Sequence, residues 1–236
     1  MLPGYKSADR FYESAIAEPS PDGSRVLLDG RPLKTPLRAE LRLPTFAMAQ
    51  AIAEEWNRQT DKINVSDMPS MALACTALDR IAPNREEMEA TLLSYGGNDL
   101  LCYWAEGPAS LLERQRKEWQ PILDWAAGEL GVELTVSVGV IHQPQPEEAL
   151  QKISEILSAL DDFRLAALSS IAAATNSLLV GLAMLKGRLG PDEAFSTAEL
   201  DSLYQQEFWG IDAEAERNRK ALLKELQDIK NFIECI

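Results

Sequence analysis

The chain has 236 residues, 46% hydrophobic and 25% charged, which is ordinary for a folded protein of one large domain or two small ones. Its 37 acidic and 23 basic residues leave a formal net charge of −14. That balance excludes nucleic acid as a natural partner, because phosphate binding needs Lys and Arg to displace counterions, and it disfavours an anionic membrane surface. The three cysteines, Cys75, Cys102 and Cys235, are odd in number and far apart, so no disulfide framework is expected and a reducing compartment fits.

Phe11 to Ala17 reads as a strand, and residues 18–24 (EPSPDGS) are dense in turn formers. Val26-Leu27-Leu28 leads into Asp29-Gly30, a dipeptide suited to a type I′ hairpin turn because both positions take positive φ. Arg31 to Thr35 is the returning strand. Pro32 and Pro36 lack a backbone donor and so place it at a sheet edge. Leu41-Arg42-Leu43 alternates as a further strand. Thr45 is an N-cap, and Ala49, Ile52, Ala53 and Trp56 follow at helical spacing. Lys62 to Val65 returns to the sheet.

Beyond Met68-Pro69 the pattern becomes largely helical, over Met71 to Ile81, Glu86 to Leu93 and Leu111 to Leu130. Leu134 to Ile141 is a β-branched, strand-like exception between Gly131 and the pair Pro144 and Pro146. Leu150, Ile153, Leu157 and Leu160 share one helical stripe. Residues 165–185 are long enough to span a bilayer. Ser169, Ser170, Thr175, Asn176 and Ser177, with the abundance of alanine, favour a bundle-core helix over a span. Ser196-Thr197-Ala198-Glu199 reads as a capping box for a helix with Leu200, Leu203, Tyr204 and Phe208 as its apolar stripe. Trp209-Gly210 breaks that helix and Asp212 caps the next. Leu222, Leu226, Ile229, Ile233 and Ile236 then form the row to be buried.

The expected architecture is α+β. A small N-terminal antiparallel-sheet domain with one helix (residues 1–67) precedes a larger C-terminal all-helical domain (residues 68–236). Charge follows the same division. The first segment holds 9 basic and 10 acidic residues, a net of −1, and the second 14 and 27, a net of −13. Those carboxylates read first as solvated helix faces and second as a field that steers a basic partner.

Little in the chain points to chemistry. His142 is the only histidine, so any Ser-His-Asp or Cys-His site must use it, and it follows a strand-like run before a Pro-rich turn. One His and scattered Cys make no zinc site, and no GxxxxGK[ST] or GxGxxG is present. No metal or cofactor is expected, and the balance falls on binding rather than catalysis. Abundant carboxylates keep a carboxylate-dependent enzyme of unknown substrate as an alternative. A membrane-associated subunit, resting on residues 165–185, is a lesser one.

An ordered set of motifs resembles the assembly chaperones of the F-type ATP synthase alpha subunit. It runs from Asp29-Gly30-Arg31-Pro32-Leu33-Lys34-Thr35-Pro36 through Ala51-Ile52-Ala53-Glu54-Glu55-Trp56, Gln59, Met68-Pro69 and Thr76-Ala77. It continues with Asp99-Leu100-Leu101-Cys102-Tyr103, Trp119 and Pro121, and closes with Gln206-Glu207-Phe208-Trp209-Gly210, Asp212 and Glu214-Ala215. Trp104 departs from the pattern, which has a basic residue there.

The resemblance implies a small α+β domain followed by a helical one. It also implies a non-catalytic factor that holds the free alpha subunit before it joins beta, monomeric when free. The family's functionally important acidic position lies in the C-terminal region, which makes Glu207, Trp209, Asp212 and Glu214 partner-binding candidates. Arg31 and Lys34 are the candidates in the N-terminal domain. Each has a structural alternative: Trp209 as a core plug, Asp212 as an N-cap, Glu214 as a first-turn carboxylate, Glu207 as a bundle-facing ion pair, and Arg31 and Lys34 as edge-strand protection. The N-terminal sequence MLPGYKSADRFYESA has no apolar signal core and no Arg/Ser-rich leader. The expected location is the cytoplasm of a bacterium, with the mitochondrial matrix for organellar relatives.

Overall fold

The computed structural model describes residues 8–139, 141, 143–210 and 212–236, apart from the side chains of Ala8 and Trp209. The chain forms two compact units. The first holds the chain through Arg85 together with Asp161–Ala167 and Asn231–Ile236. The second holds Glu86–Leu160 and Leu168–Lys230. The composition change at Met68 falls inside the first unit.

In the first unit, β1 (Ala8–Asp9) pairs antiparallel with β5 (Lys62–Ile63). A separate three-stranded antiparallel sheet has the order β2 (Ala15–Ser20), β3 (Gly23–Leu28), β4 (Arg31–Pro32). The strand extends through Glu18–Ser20, where turn formers predicted a loop, and only Pro21 and Asp22 turn the chain. Gly23 makes this tight corner feasible: its φ is +126°, and a Cβ there would collide with the Leu43 carbonyl oxygen. The Asp29-Gly30 turn forms as expected, with φ of 47° and 78°, and sets Leu28 opposite Arg31. The returning strand is shorter than Arg31 to Thr35, and β4 ends the sheet order, as Pro32 predicts. Leu41–Leu43 contributes no full strand. Leu43 bridges Ser24, and Glu40 bridges Lys34.

Helix α1 (Phe46–Asn57) starts at Thr45, whose hydroxyl accepts the Met48 N–H at 3.2 Å. It buries Met48, Ala49, Ile52, Ala53 and Trp56. Helix α2 (Pro69–Thr76) has no capping side chain of its own at Met68. The buried Glu55 carboxylate on α1 does this work, accepting from Ser70 N at 2.7 Å and Met71 N at 2.9 Å. This contact ties α2 to the sheet-bearing unit, past the change of composition.

The second unit is mostly helical, with α3 (Arg85–Gly97) entering it from Arg85. β6 (Tyr103–Trp104) pairs in parallel with β7 (Ser137–Val138), which lies inside the strand-like run 134–141 that the sequence set apart from the helical pattern. Trp104 turns inward and donates to the Leu101 carbonyl at 2.9 Å. Helices α4 (Ala109–Trp125) and α5 (Glu147–Ala159) follow. The apolar run at 165–185 divides into α6 (Asp162–Thr175) and α7 (Leu178–Leu185). Asn176, at φ 52°, ends the first, and the Ser177 hydroxyl accepts from Val180 N at 3.0 Å to start the second. Among the described residues no helix is long and apolar enough to cross a membrane.

Helix α8 (Pro191–Ala198) replaces the predicted capping box. Ser196 lies inside it and donates back to the Asp192 carbonyl at 2.9 Å. Glu193 caps its start by accepting Gly190 N at 2.8 Å, so the signal lay at a helix C-terminus. Helices α9 (Leu200–Trp209) and α10 (Ala213–Glu234) complete the chain, and α10 buries Leu226, Ile229 and Phe232.

Candidate partner-binding surfaces

In the second unit, the candidate surface lies where α9 meets α4. Glu207 Oε1 and Oε2 accept from both terminal nitrogens of Arg114 at 2.5 and 2.8 Å, a bidentate pair between residues 93 positions apart. The hydrogen bond from Arg114 lowers the Glu207 pKa, and the same bond raises that of Arg114. Both groups are solvent-facing, so the pair fixes geometry more than it stabilises the fold. Arg114 also lies over the Tyr204 ring, 5.1 Å from its centroid, and the Tyr204 hydroxyl meets Ser110 Oγ at 2.6 Å.

Phe208 stacks at a tilt on Tyr204, with centroids 5.1 Å apart, yet remains 66% exposed. The stripe expected to bury it therefore stops at Tyr204, one turn before the helix ends at Gly210. Phe, Tyr and Arg are residue types enriched in the cores of protein interfaces, which makes this face a candidate surface. Deeper in the same contact, Gln115 donates to Asp201 at 2.9 Å and accepts from Ala105 N at 2.8 Å. Burial raises the Asp201 pKa against that hydrogen bond.

The other candidates of this region fall around the break at Gly210. Trp209 closes α9, and its side chain lies outside the described residues. Asp212 accepts from Glu214 N and Ala215 N, both at 3.3 Å, and so caps α10. Glu214 is exposed in the first turn of that helix. Glu207 is paired as the sequence suggested, on an exposed face instead of inside a bundle.

In the first unit, Arg31 and Lys34 come together on the rim of a groove of about 420 Å³. Tyr12, Leu33 and Trp56 line it, and Phe11 stands at its edge, 69% exposed. The Tyr12 hydroxyl donates to the Trp56 carbonyl at 2.6 Å, and the two rings pack edge-on at 5.3 Å. Arg10 lies over the Tyr12 ring at 4.7 Å and donates to the carbonyls of Tyr12, Glu13 and Gln59. Sequence reading found the two basic residues and missed Phe11 and Arg114. The adjacent aromatics Phe11-Tyr12 were the available signal.

The remaining ionisable groups serve the frame. Asp99 is fully buried, and burial pushes its pKa up to about 6. Its oxygens accept from Leu101 N at 3.1 Å, Ser177 Oγ at 2.7 Å and Leu179 N at 2.9 Å, capping α7. Burial likewise raises Glu55, against the N–H groups of Met71 and Ser70. Both carboxylates are occupied as caps, so neither supports the carboxylate-enzyme alternative. Burial, with Asp79 beside Cys75 and Asp99 beside Cys102, pushes these two thiols up to about 12, leaving them protonated at neutral pH. Among the described residues no three His, Cys, Asp or Glu side chains are grouped to hold a metal ion, and His142 lies outside them.

The chain is similar to known proteins along most of its length. Residues 9–127 match the profile of a family described as ATP12 chaperone protein. The crystal structure of Atp12 from Paracoccus denitrificans is 40% identical, covers 97% of this chain and 98% of its own, and superposes with a TM-score of 0.91. A point variant of P. denitrificans Atp12p covers 97% of both chains at 38% identity and a TM-score of 0.92. The mitochondrial protein atp12 of Schizosaccharomyces pombe is 27% identical over 89% of this chain and 82% of its own length.

Proposed function

The chain belongs to the ATP12 chaperone family, assembly factors for the catalytic head of F-type ATP synthase, and we propose that its client is the free alpha subunit before it pairs with beta. The observation that carries this reading is similarity along the whole chain, with 97% of its residues superposed on Atp12 of P. denitrificans. The exposed Phe208 on Tyr204, with its Arg114–Glu207 rim, supports it physically. A free alpha subunit exposes an interface normally covered by its neighbour, and such interfaces are large and apolar. A few apolar anchors with a charged rim cover such a patch reversibly.

In this reading the chain acts without catalysis of its own and is monomeric when free. Glu207, Trp209, Asp212 and Glu214 border the client contact in the second unit, with Arg31 and Lys34 in the first. In a bacterium it acts in the cytoplasm, and in an organelle in the matrix. Co-expression with the cognate alpha subunit tests the proposal. Soluble alpha should rise several-fold and co-elute with the chain on gel filtration. Unchanged solubility and no complex would refute it.

A further inference from the structure

We propose that the groove beside the Asp29–Gly30 turn docks an extended client segment in which a large apolar side chain is flanked by carboxylates. The inference rests on the chaperone reading and gives it a surface in the first unit.

The groove is built in advance. Tyr12 and Trp56 are locked to each other by a hydrogen bond and an edge-on contact, so the apolar floor needs no ordering on binding. Its far wall is held as well. Asp79 accepts from Thr35 Oγ1 at 2.7 Å and from Leu37 N at 3.1 Å, which fixes the loop that follows Lys34. Phe11, at one edge of the groove, is 69% exposed, a mostly uncovered apolar margin among the described residues. A volume of about 420 Å³ lies in the range of clefts that hold ligands, roughly 300–1,000 Å³.

Charge selects the occupant. The lining holds one acidic residue, Asp29, and two basic ones, Arg31 and Lys34. The Asp29 carboxylate faces the backbone just before β2, accepting from Ser14 N at 2.9 Å and Glu13 N at 3.0 Å, and these bonds lower its pKa. Arg31 is exposed, and its side chain makes no hydrogen bond or ion pair among the described residues. The charge offered to a ligand is therefore positive, in a chain whose net charge is −14. A basic segment is attracted to most of this protein and repelled here; an acidic one finds its complement here. Pro32 withholds a backbone donor at the strand edge, so side chains carry the recognition in place of strand pairing.

The test uses the full chain and a fluorescein-labelled peptide of about ten residues, with Phe between Asp and Glu, beside the same peptide with Lys at the acidic positions. The acidic peptide should bind at least about 10-fold tighter. Arg31→Glu should erase that preference, Phe11→Ser should weaken both peptides, and Arg188→Glu in the second unit should change neither. Equal binding of the two peptides, no binding of either, or an undiminished preference in Arg31→Glu overturns the proposal. So does self-association of the wild type that Arg31→Glu abolishes, which assigns the groove to a second copy. Gel filtration with alpha separates the two claims. Alpha held equally by wild type and Arg31→Glu defeats the groove and leaves the chaperone reading standing. Peptide discrimination without any alpha complex defeats the client assignment and leaves the groove.

Discussion

Each unit presents an exposed phenylalanine beside an arginine, and the two arginines are committed differently. In the second unit Arg114 is bound twice over, bidentate to Glu207 and stacked on Tyr204. In the first unit Arg31 is turned to solvent, and the nearby Asp29 is engaged by backbone N–H groups. The same pair of residue types thus gives a compensated apolar face in one unit and an electropositive groove in the other. A compensated face contributes apolar contact with little dependence on salt. A groove whose arginine is uncommitted contributes charge selectivity that salt screens.

The comparison breaks most visibly through the frames behind the two surfaces. Asp99→Ala strands the N–H groups of Leu101 and Leu179 in a buried site and removes the cap of α7. It should destabilise the protein by roughly 3–5 kcal/mol in urea unfolding. Glu55→Ala, which strands Ser70 N and Met71 N, should cost about 2–4 kcal/mol by the same measurement. A loss below about 1 kcal/mol in either variant would show that the cap does not hold its helix.

Titration sharpens the same point. Burial holds the Asp99 pKa at about 6, above its ordinary 3.8, so the folded protein keeps this proton to higher pH than the unfolded chain does. Its contribution is fully present below about pH 4 and is lost as pH rises to about 6, a change of about 3 kcal/mol. Unfolding free energies from pH 4 to 7 should show this decline in the wild type relative to Asp99→Asn, which cannot titrate. Parallel profiles would contradict it.

At the surfaces the expected effects are smaller. Phe208→Ala should weaken the alpha complex about 10-fold, with the same salt dependence as the wild type, whereas Arg31→Glu should change the salt dependence itself. Equal salt slopes in both variants would erase the distinction between face and groove. Glu207→Gln breaks only a solvent-facing pair and should leave the thermal midpoint within measurement scatter.

Much of the first unit was legible because its signals are local. Asp29-Gly30 demands positive φ at adjacent positions, Thr45 caps the helix it precedes, and Pro32 marks an edge. The second unit hid its determinants because they act over distance. Glu207 meets Arg114 across 93 positions, and Asp99 meets Ser177 across 78. The Ser196–Glu199 pattern misled for the complementary reason. A serine near a glutamate satisfies a capping template anywhere, and only packing reveals that this one ends a helix. Phe208 carried the spacing of a buried residue, but it lies at the end of its helix and stays 66% exposed among the described residues. The family motifs pointed to the C-terminal acidic region, whereas the exposure of Phe208 within it became visible only in three dimensions.

Hydrogen exchange of the chain, alone and with stoichiometric alpha subunit, tests the central claim most directly. The account predicts a stable complex in which peptides covering residues 31–37 and 204–209 gain protection, in both units at once. No complex at micromolar concentration, or a complex that protects neither segment, would contradict it.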